Sequence, residues 1–201
     1  MESAAPPMAE IRAKLAAHPA KLAEPSGEGF AAAVAVAFCT PPAGEVSLLF
    51  IERALREGDP WSGHMAFPGG RRDRADTDLA ATAAREAREE VGLRLGAPIA
   101  RLDDFQNARN PRIPALVVSP FVYELDRLPE LSPNREVQST VWIPVSWLVH
   151  PDAAVDYRFE RDAQTLVFPA LRYERYTVWG LTYRILVNLF GLLGRELRPA
   201  P

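Results

Sequence analysis

The chain has 201 residues, enough for one well-buried core, and a single domain is expected. Hydrophobic residues make up 48% and charged residues 24%, ordinary for a globular protein, and the formal net charge of −3 excludes a broad basic surface for nucleic acid. Of the 23 basic residues only Lys14 and Lys21 are lysines; the rest are arginines, whose planar fork suits phosphate.

Residues 1–28 read as an N-terminal tail with one helix, Met8 to His18, ended by Pro19. Pro25-Ser26-Gly27 opens the domain expected over residues 29–197. The tail is polar and acidic, without the continuous apolar stretch of a secretory signal. Phe30 to Cys39 and Val46 to Ile51, separated by Pro41-Pro42, read as two antiparallel strands. Cys39 is the single cysteine, which excludes an internal disulfide and a zinc cluster; its apolar neighbours make it an inert core thiol. His64 to Phe67 is a short strand halted by Pro68-Gly69-Gly70.

Asp78 to Val91 is the clearest helix: Leu79, Ala83, Ala87 and Val91 recur every four residues, Ala80 and Ala84 widen the stripe, and Gly92 ends it. Ile99 to Leu102, Ala115 to Leu125, Thr140 to Pro144 and Leu166 to Phe168 are further strands. Tyr176 to Leu193 is a second helix with a bulky apolar face. Its most apolar part, Ile185 to Leu193, falls well short of the roughly 20 residues a spanning helix needs. A cytoplasmic protein with no membrane partner is expected, as a monomer or homodimer. The 19 prolines fit stiffened loops such as Asn107 to Pro114 and Leu128 to Pro133. Trp142, Trp147, Trp179, Leu189 and Phe190 read as core.

The chemistry concentrates on the first of these helices. At about 100° per residue, Glu86, Glu89 and Glu90 share roughly a 100° arc of its surface, beside the small apolar stripe. Like charges at four-residue spacing cost ~0.2–0.5 kcal/mol per pair, and a hard divalent cation converts that repulsion into coordination. The preceding Gly69-Gly70 permits positive φ and close approach of backbone to a bound metal or phosphate.

Arg85-Glu86-Ala87-Arg88-Glu89-Glu90-Val91-Gly92-Leu93 resembles the second half of the Nudix box, Arg-Glu-apolar-x-Glu-Glu-x-Gly-apolar. The first half departs. A one-residue insertion makes Gly70 the box glycine and leaves an aspartate, Asp76 or Asp78, where glutamate is usual. That variant resembles the coenzyme A pyrophosphatase branch, on Phe67 to Asp76 and Thr82 to Glu86. Further agreement lies in Leu48-Leu49 before Arg53, Val118 to Val122, Asn134 to Val137 before Trp142-Ile143-Pro144, and Trp179 to Thr182. The likeness covers about residues 30 to 195. One stretch departs: Asp59 to Ala66 stands where the branch has Arg-x-His-x-Gly-Gln.

The resemblance implies an α/β fold, a Nudix-type α/β/α sandwich around a mixed, mainly antiparallel sheet. It implies a Mg²⁺- or Mn²⁺-dependent hydrolase of a nucleoside diphosphate linked to another moiety, coenzyme A or a derivative first. ADP-ribose, a dinucleotide or a nucleoside triphosphate is the alternative substrate, and a non-catalytic Nudix-fold binding module is the alternative of another class. The implied metal ligands are Glu86 and Glu90, with Glu89 in the same shell and the Gly70 carbonyl completing it. Catalytic roles fall to Glu89, to Glu136 as base or extra ligand, and to Arg85, which orients the carboxylates. Arg53, Trp61, Gly69, Arg71 and Arg72 are candidates for the substrate, Trp61 by stacking on adenine or a pantetheine arm. Arg109 and Arg112 are further candidate phosphate contacts. His64 reads as a structural histidine.

Overall fold

The computed structural model describes residues 6–24, 29–41, 44–58, 61–106, 115–161 and 164–198. Helix α1 (Met8–Ala16) leads into strands β1 (Phe30–Cys39), β2 (Ser47–Arg53), β3 (Met65–Ala66) and β4 (Gly69–Arg71), then helix α2 (Leu79–Val91). Strands β5 (Ala100–Arg101), β6 (Phe105–Gln106), β7 (Leu116–Leu125) and β8 (Val137–Pro144) follow, then the short helix α3 (Val145–Leu148). Strands β9 (Ala154–Arg161), β10 (Gln164–Tyr173) and β11 (Tyr176–Val178) precede helix α4 (Gly180–Leu192).

The main sheet is mixed: β1 runs parallel to β7 over its whole length, and the other pairings are antiparallel. Alternation along β1 divides the core. Ala33, Ala35 and Ala37 face Ala83, Ala87 and Val91 of α2, whereas Val36 and Phe38 face Leu186, Leu189 and Phe190 of α4. The result is the expected α/β/α sandwich, with methyl groups on both sides of the α2 contact so that this helix lies close to the sheet. Beyond β1's first contact with β2, at Phe38 and Cys39, the two strands diverge. The segment 65–71 fills the fork, pairing first with Ile51 and Glu52 of β2 and then with Ala32 to Val34 of β1.

Four expectations change. Gly69-Gly70 is not a turn that stops a strand; it begins β4, and neither glycine is among those with positive φ. Tyr176 to Val178 is a strand paired with β10, so the last helix starts at Gly180. The sequence marks only Leu166 to Phe168 of the β9–β10 hairpin, whose inner face, Tyr157, Phe159 and Phe168, packs on Trp179. Of the core candidates, Leu189 and Phe190 are fully buried, whereas Trp142, Trp147 and Trp179 are partly exposed and Trp147 donates to the Arg172 carbonyl at 2.7 Å. The loop Asn107 to Pro114, with Arg109 and Arg112, lies outside the described residues. Among the described residues no helix is long and apolar enough to cross a membrane.

Helix α1 is docked on the main core. Ile11 and Leu15 are fully buried there, and Arg12 forks onto Glu124 at 2.7–3.1 Å. The chain after it is tied down by Asp103, which takes the Lys21 N–H at 2.8 Å and His18 Nε2 at 2.9 Å. Full burial of such side chains is worth about 1.5–3 kcal/mol each. Leu15→Ala is therefore expected to lower stability by about 2–5 kcal/mol in urea unfolding; a loss under about 0.5 kcal/mol, typical of exposed positions, would show that α1 is not part of the folded unit.

Candidate active site

Helix α2 is fixed at both ends by its own sequence. The Asp78 carboxylate caps the start by accepting the Ala81 N–H at 2.8 Å. Gly92, at φ 72°, ends the helix in the left-handed conformation, and the N–H groups of Gly92 and Leu93 bond back to Arg88 and Ala87. Capped at that register and packed by its alanines, α2 turns Glu86 and Glu90 toward β4.

The glycines of β4 are required by closeness. A Cβ on Gly70 would overlap the Glu86 carboxylate. A Cβ on Gly69 would overlap the Ala33 carbonyl and stand 2.7 Å from Val34 Cα. The bare backbone thus lets Gly69 N–H donate to Glu90 Oε2 at 2.9 Å. Glu90 is 4% exposed, and burial pushes its carboxyl up to about 8 despite that hydrogen bond; the charges of Glu86 and Glu136 push the same way and Arg53 opposes them. Glu86 is also raised, by burial first, with Arg85 working against the shift and Glu89 and Glu136 adding to it.

Arg85 holds this acidic group together. Nε and Nη2 form a two-pronged pair with Asp76 at 2.9 and 3.0 Å, Nη2 also reaches the Arg71 carbonyl at 3.0 Å, and Nη1 is shared by Glu86 at 3.0 Å and Glu89 at 3.1 Å. All five guanidinium hydrogens are used. Asp76 is buried and also takes the Asp73 N–H and the Thr82 hydroxyl, each at 2.9 Å. The Arg85 guanidinium, foremost among these partners, holds the Asp76 carboxyl well below its ordinary range. The two aspartates left open by the sequence thus have separate tasks, Asp78 as helix cap and Asp76 as anchor of Arg85.

The remaining candidates are spread unevenly. Glu136 is half-exposed and pairs with Arg56 at 2.8 Å, a partner the sequence did not suggest. A register shift between Glu52 and Arg53 re-aims the β2 terminus, and Arg53 lines a cleft of about 430 Å³ together with Trp61, His64, Gly69 and Gly70. His64 meets the Trp179 ring edge-on at 4.8 Å. Arg71 instead lies over the Phe30 ring, 4.2 Å from its centroid. Arg72 donates to the carbonyls of Asp76 and Thr77 at 3.3 and 3.2 Å, bracing the loop before α2. Among the described residues no three acidic, imidazole or thiol groups close a metal cage by themselves. Glu89 stands apart, exposed and turned to Arg85. The pair Glu86 and Glu90 nonetheless suits a hard cation, because two crowded, poorly hydrated carboxylates gain most from one, and such an ion takes its remaining ligands from backbone, water and phosphate.

The sequence model of the NUDIX domain matches residues 29–163. The chain belongs to that family. An uncharacterised protein of Schizosaccharomyces pombe is 31% identical over 77% of this chain and 59% of its own length, so the chain spans about three-fifths of that relative. A peroxisomal coenzyme A diphosphatase of Mus musculus is 29% identical over 78% of this chain and 67% of its own. A mitochondrial coenzyme A diphosphatase of Homo sapiens is 45% identical over 31% of this chain and 26% of its own. The NUDIX domain of Shewanella oneidensis NrtR, solved with ADP ribose, superposes with a TM-score of 0.51 at 19% identity, covering 61% of this chain and 77% of that one. A MutT/nudix family protein of Enterococcus faecalis gives 0.50 at 20% identity, over 79% of this chain and 53% of that one; these two likenesses concern the fold alone.

Two outcomes follow from the geometry. Gly69→Ala meets backbone and is expected to cost on the order of 1–3 kcal/mol, whereas Gly70→Ala meets only a carboxylate that swings aside, leaving thermal stability near wild type. Equal losses in thermal unfolding would refute that distinction. Folding depresses the Asp76 carboxyl below its ordinary 3.8, so its stabilisation is present above the unfolded value and is lost as pH falls toward the folded one. Asp76→Asn is expected to cost about 2–3 kcal/mol at pH 7, and the gap to wild type should narrow steadily below about pH 4. A gap that is constant with pH in denaturant titrations would contradict the pairing.

Proposed function

We propose that the chain hydrolyses the diphosphate of coenzyme A, or of an acyl or oxidised form, to 3′,5′-ADP and the corresponding 4′-phosphopantetheine, with Mg²⁺ or Mn²⁺ as cofactor. The observation that supports it most is the pair Glu86, held by Arg85, and Glu90, held by the Gly69 N–H, set against the bare backbone of Gly69-Gly70 beside a cleft. The substrate draws support from the relatives named as coenzyme A diphosphatases.

On this reading Glu86 and Glu90 would hold the cation, with Glu89 and the Gly70 carbonyl as further candidate ligands. A divalent ion there supplies positive charge to the diphosphate and lowers the pKa of a bound water. Arg53, close enough to influence Glu90, contributes a fixed positive charge on the cleft side. Gly69 N–H keeps the Glu90 carboxylate aimed. Glu136 accepts the proton as the water oxygen bonds to phosphorus, and the bridging P–O bond breaks to leave the second phosphate. Before that step Glu136 must be released from Arg56. Arg85 positions the carboxylates and does not touch the reacting atoms. Trp61 borders the non-reacting part of the substrate.

The change at Trp61 to Met65 keeps ADP-ribose, a dinucleotide or a nucleoside triphosphate as the second reading, and a panel of these substrates with coenzyme A at equal concentration separates the readings. The binding-module alternative drew on the missing box glutamate. Asp76 supplies a carboxylate there, and all three helix glutamates are present, which favours the enzyme reading. With coenzyme A and Mg²⁺, release of 3′,5′-ADP and phosphopantetheine is expected, abolished by excess chelator. Glu90→Gln is expected to lower kcat on the order of 10²-fold or more with an unchanged circular dichroism spectrum. Full activity in chelator, or a Glu90→Gln variant as fast as wild type, would overturn the mechanism.

A further inference from the structure

The cleft does not end at the carboxylates. It crosses the sheet from Gly69-Gly70 over Ala32 and Val34 of β1 and Leu116 and Val118 of β7 to Phe105 of β6. Three inter-strand steps separate β4 from β6, roughly 14 Å, a span that a nucleoside with its 5′-phosphates covers. At this far end the described walls are mostly apolar, Gln106 turns its amide to the Glu24 carbonyl, and Arg184 supplies the charge. Its place is set by helix α4, whose first turn is pinned to the sheet by the Thr182 hydroxyl donating to the Met65 carbonyl at 3.0 Å. The guanidinium lies over the Phe105 ring, 5.5 Å from the centroid, and among the described residues no carboxylate pairs with it. A half-buried cation on an aromatic face, without a counter-ion there, is matched by a phosphate it can grip with two parallel hydrogen bonds.

We infer that Arg184 is a specificity residue that binds the phosphate on the ribose of the substrate, while Phe105 and the neighbouring apolar wall receive the base. This rests on the coenzyme A reading, and it goes further by stating which part of the substrate the far end of the cleft measures. Arg53 and Arg184 then divide the work: Arg53 serves the diphosphate under attack, and Arg184 reads a group that takes no part in the reaction. Substrates with a bare ribose leave Arg184 unmatched in the cleft.

The test is calorimetric binding of 3′,5′-ADP and 5′-AMP, which differ by that one phosphate, to the full chain with Mg²⁺. Wild type is expected to prefer 3′,5′-ADP by about tenfold or more, the range of a charge-assisted hydrogen bond. Arg184→Gln should erase the preference while leaving 5′-AMP affinity and Tm unchanged, and Arg184→Lys should keep part of it. No preference in wild type, a preference that survives Arg184→Gln, or an equal loss for both nucleotides would overturn the assignment. Turnover is scored separately: failure to cleave coenzyme A with the binding preference intact refutes the substrate reading above and leaves the role of Arg184 standing.

Discussion

One guanidinium organises the acidic site. Glu86, Glu89 and Glu90 repel one another on a single helix face, and Arg85 meets two of them with one nitrogen while its other two nitrogens are held by Asp76. Asp76 is itself fixed by the Asp73 N–H and the buried Thr82 hydroxyl, so the clamp is anchored in the loop before α2 and in the helix interior. Because Arg85 also holds the Arg71 carbonyl, strand β4 and helix α2 share one fastening. That shared fastening keeps Glu86 against the β4 backbone, while Glu89 stays exposed.

The sheet answers with an absence of side chains. Alanines on β1 and α2 bring the helix down, and glycines on β4 let the carboxylates touch the strand, so that Glu90 is buried yet bonded. On the other face α4 and the aromatic group around Trp179 wall a long cleft that begins at the same two glycines. The fork between β1 and β2 is what allows a short strand to separate acid from cleft by one layer of backbone.

Much of this was legible in the sequence, for identifiable reasons. The four-residue stripe and its flanking Asp78 and Gly92 marked α2 to within a residue, because capping and burial both act locally. The block from Arg85 to Leu93 marked the acidic face because its spacing is that of a helix. Gly69-Gly70 suggests a turn in sequence but forms a strand, because the demand for glycine comes from Glu86 and Val34, distant in sequence. Tyr176 to Val178 continued an apolar pattern into α4 and was absorbed into it, although β10 claims it. The alternation Tyr157-Arg158-Phe159-Glu160 is a strand signal in the sequence, and its aromatic side faces Trp179. Arg56 and Arg184 had no local mark; only the fold brings one to Glu136 and the other over Phe105.

The proposed chemistry requires that Glu86 and Glu90 share a cation once one is offered. Anomalous diffraction from a crystal soaked in Mn²⁺ measures this directly. The expected result is a manganese peak within coordination distance of both carboxylates, beside the Gly70 backbone, with Arg85 still on Asp76. Strong manganese sites elsewhere on the molecule and none between these two side chains would contradict it.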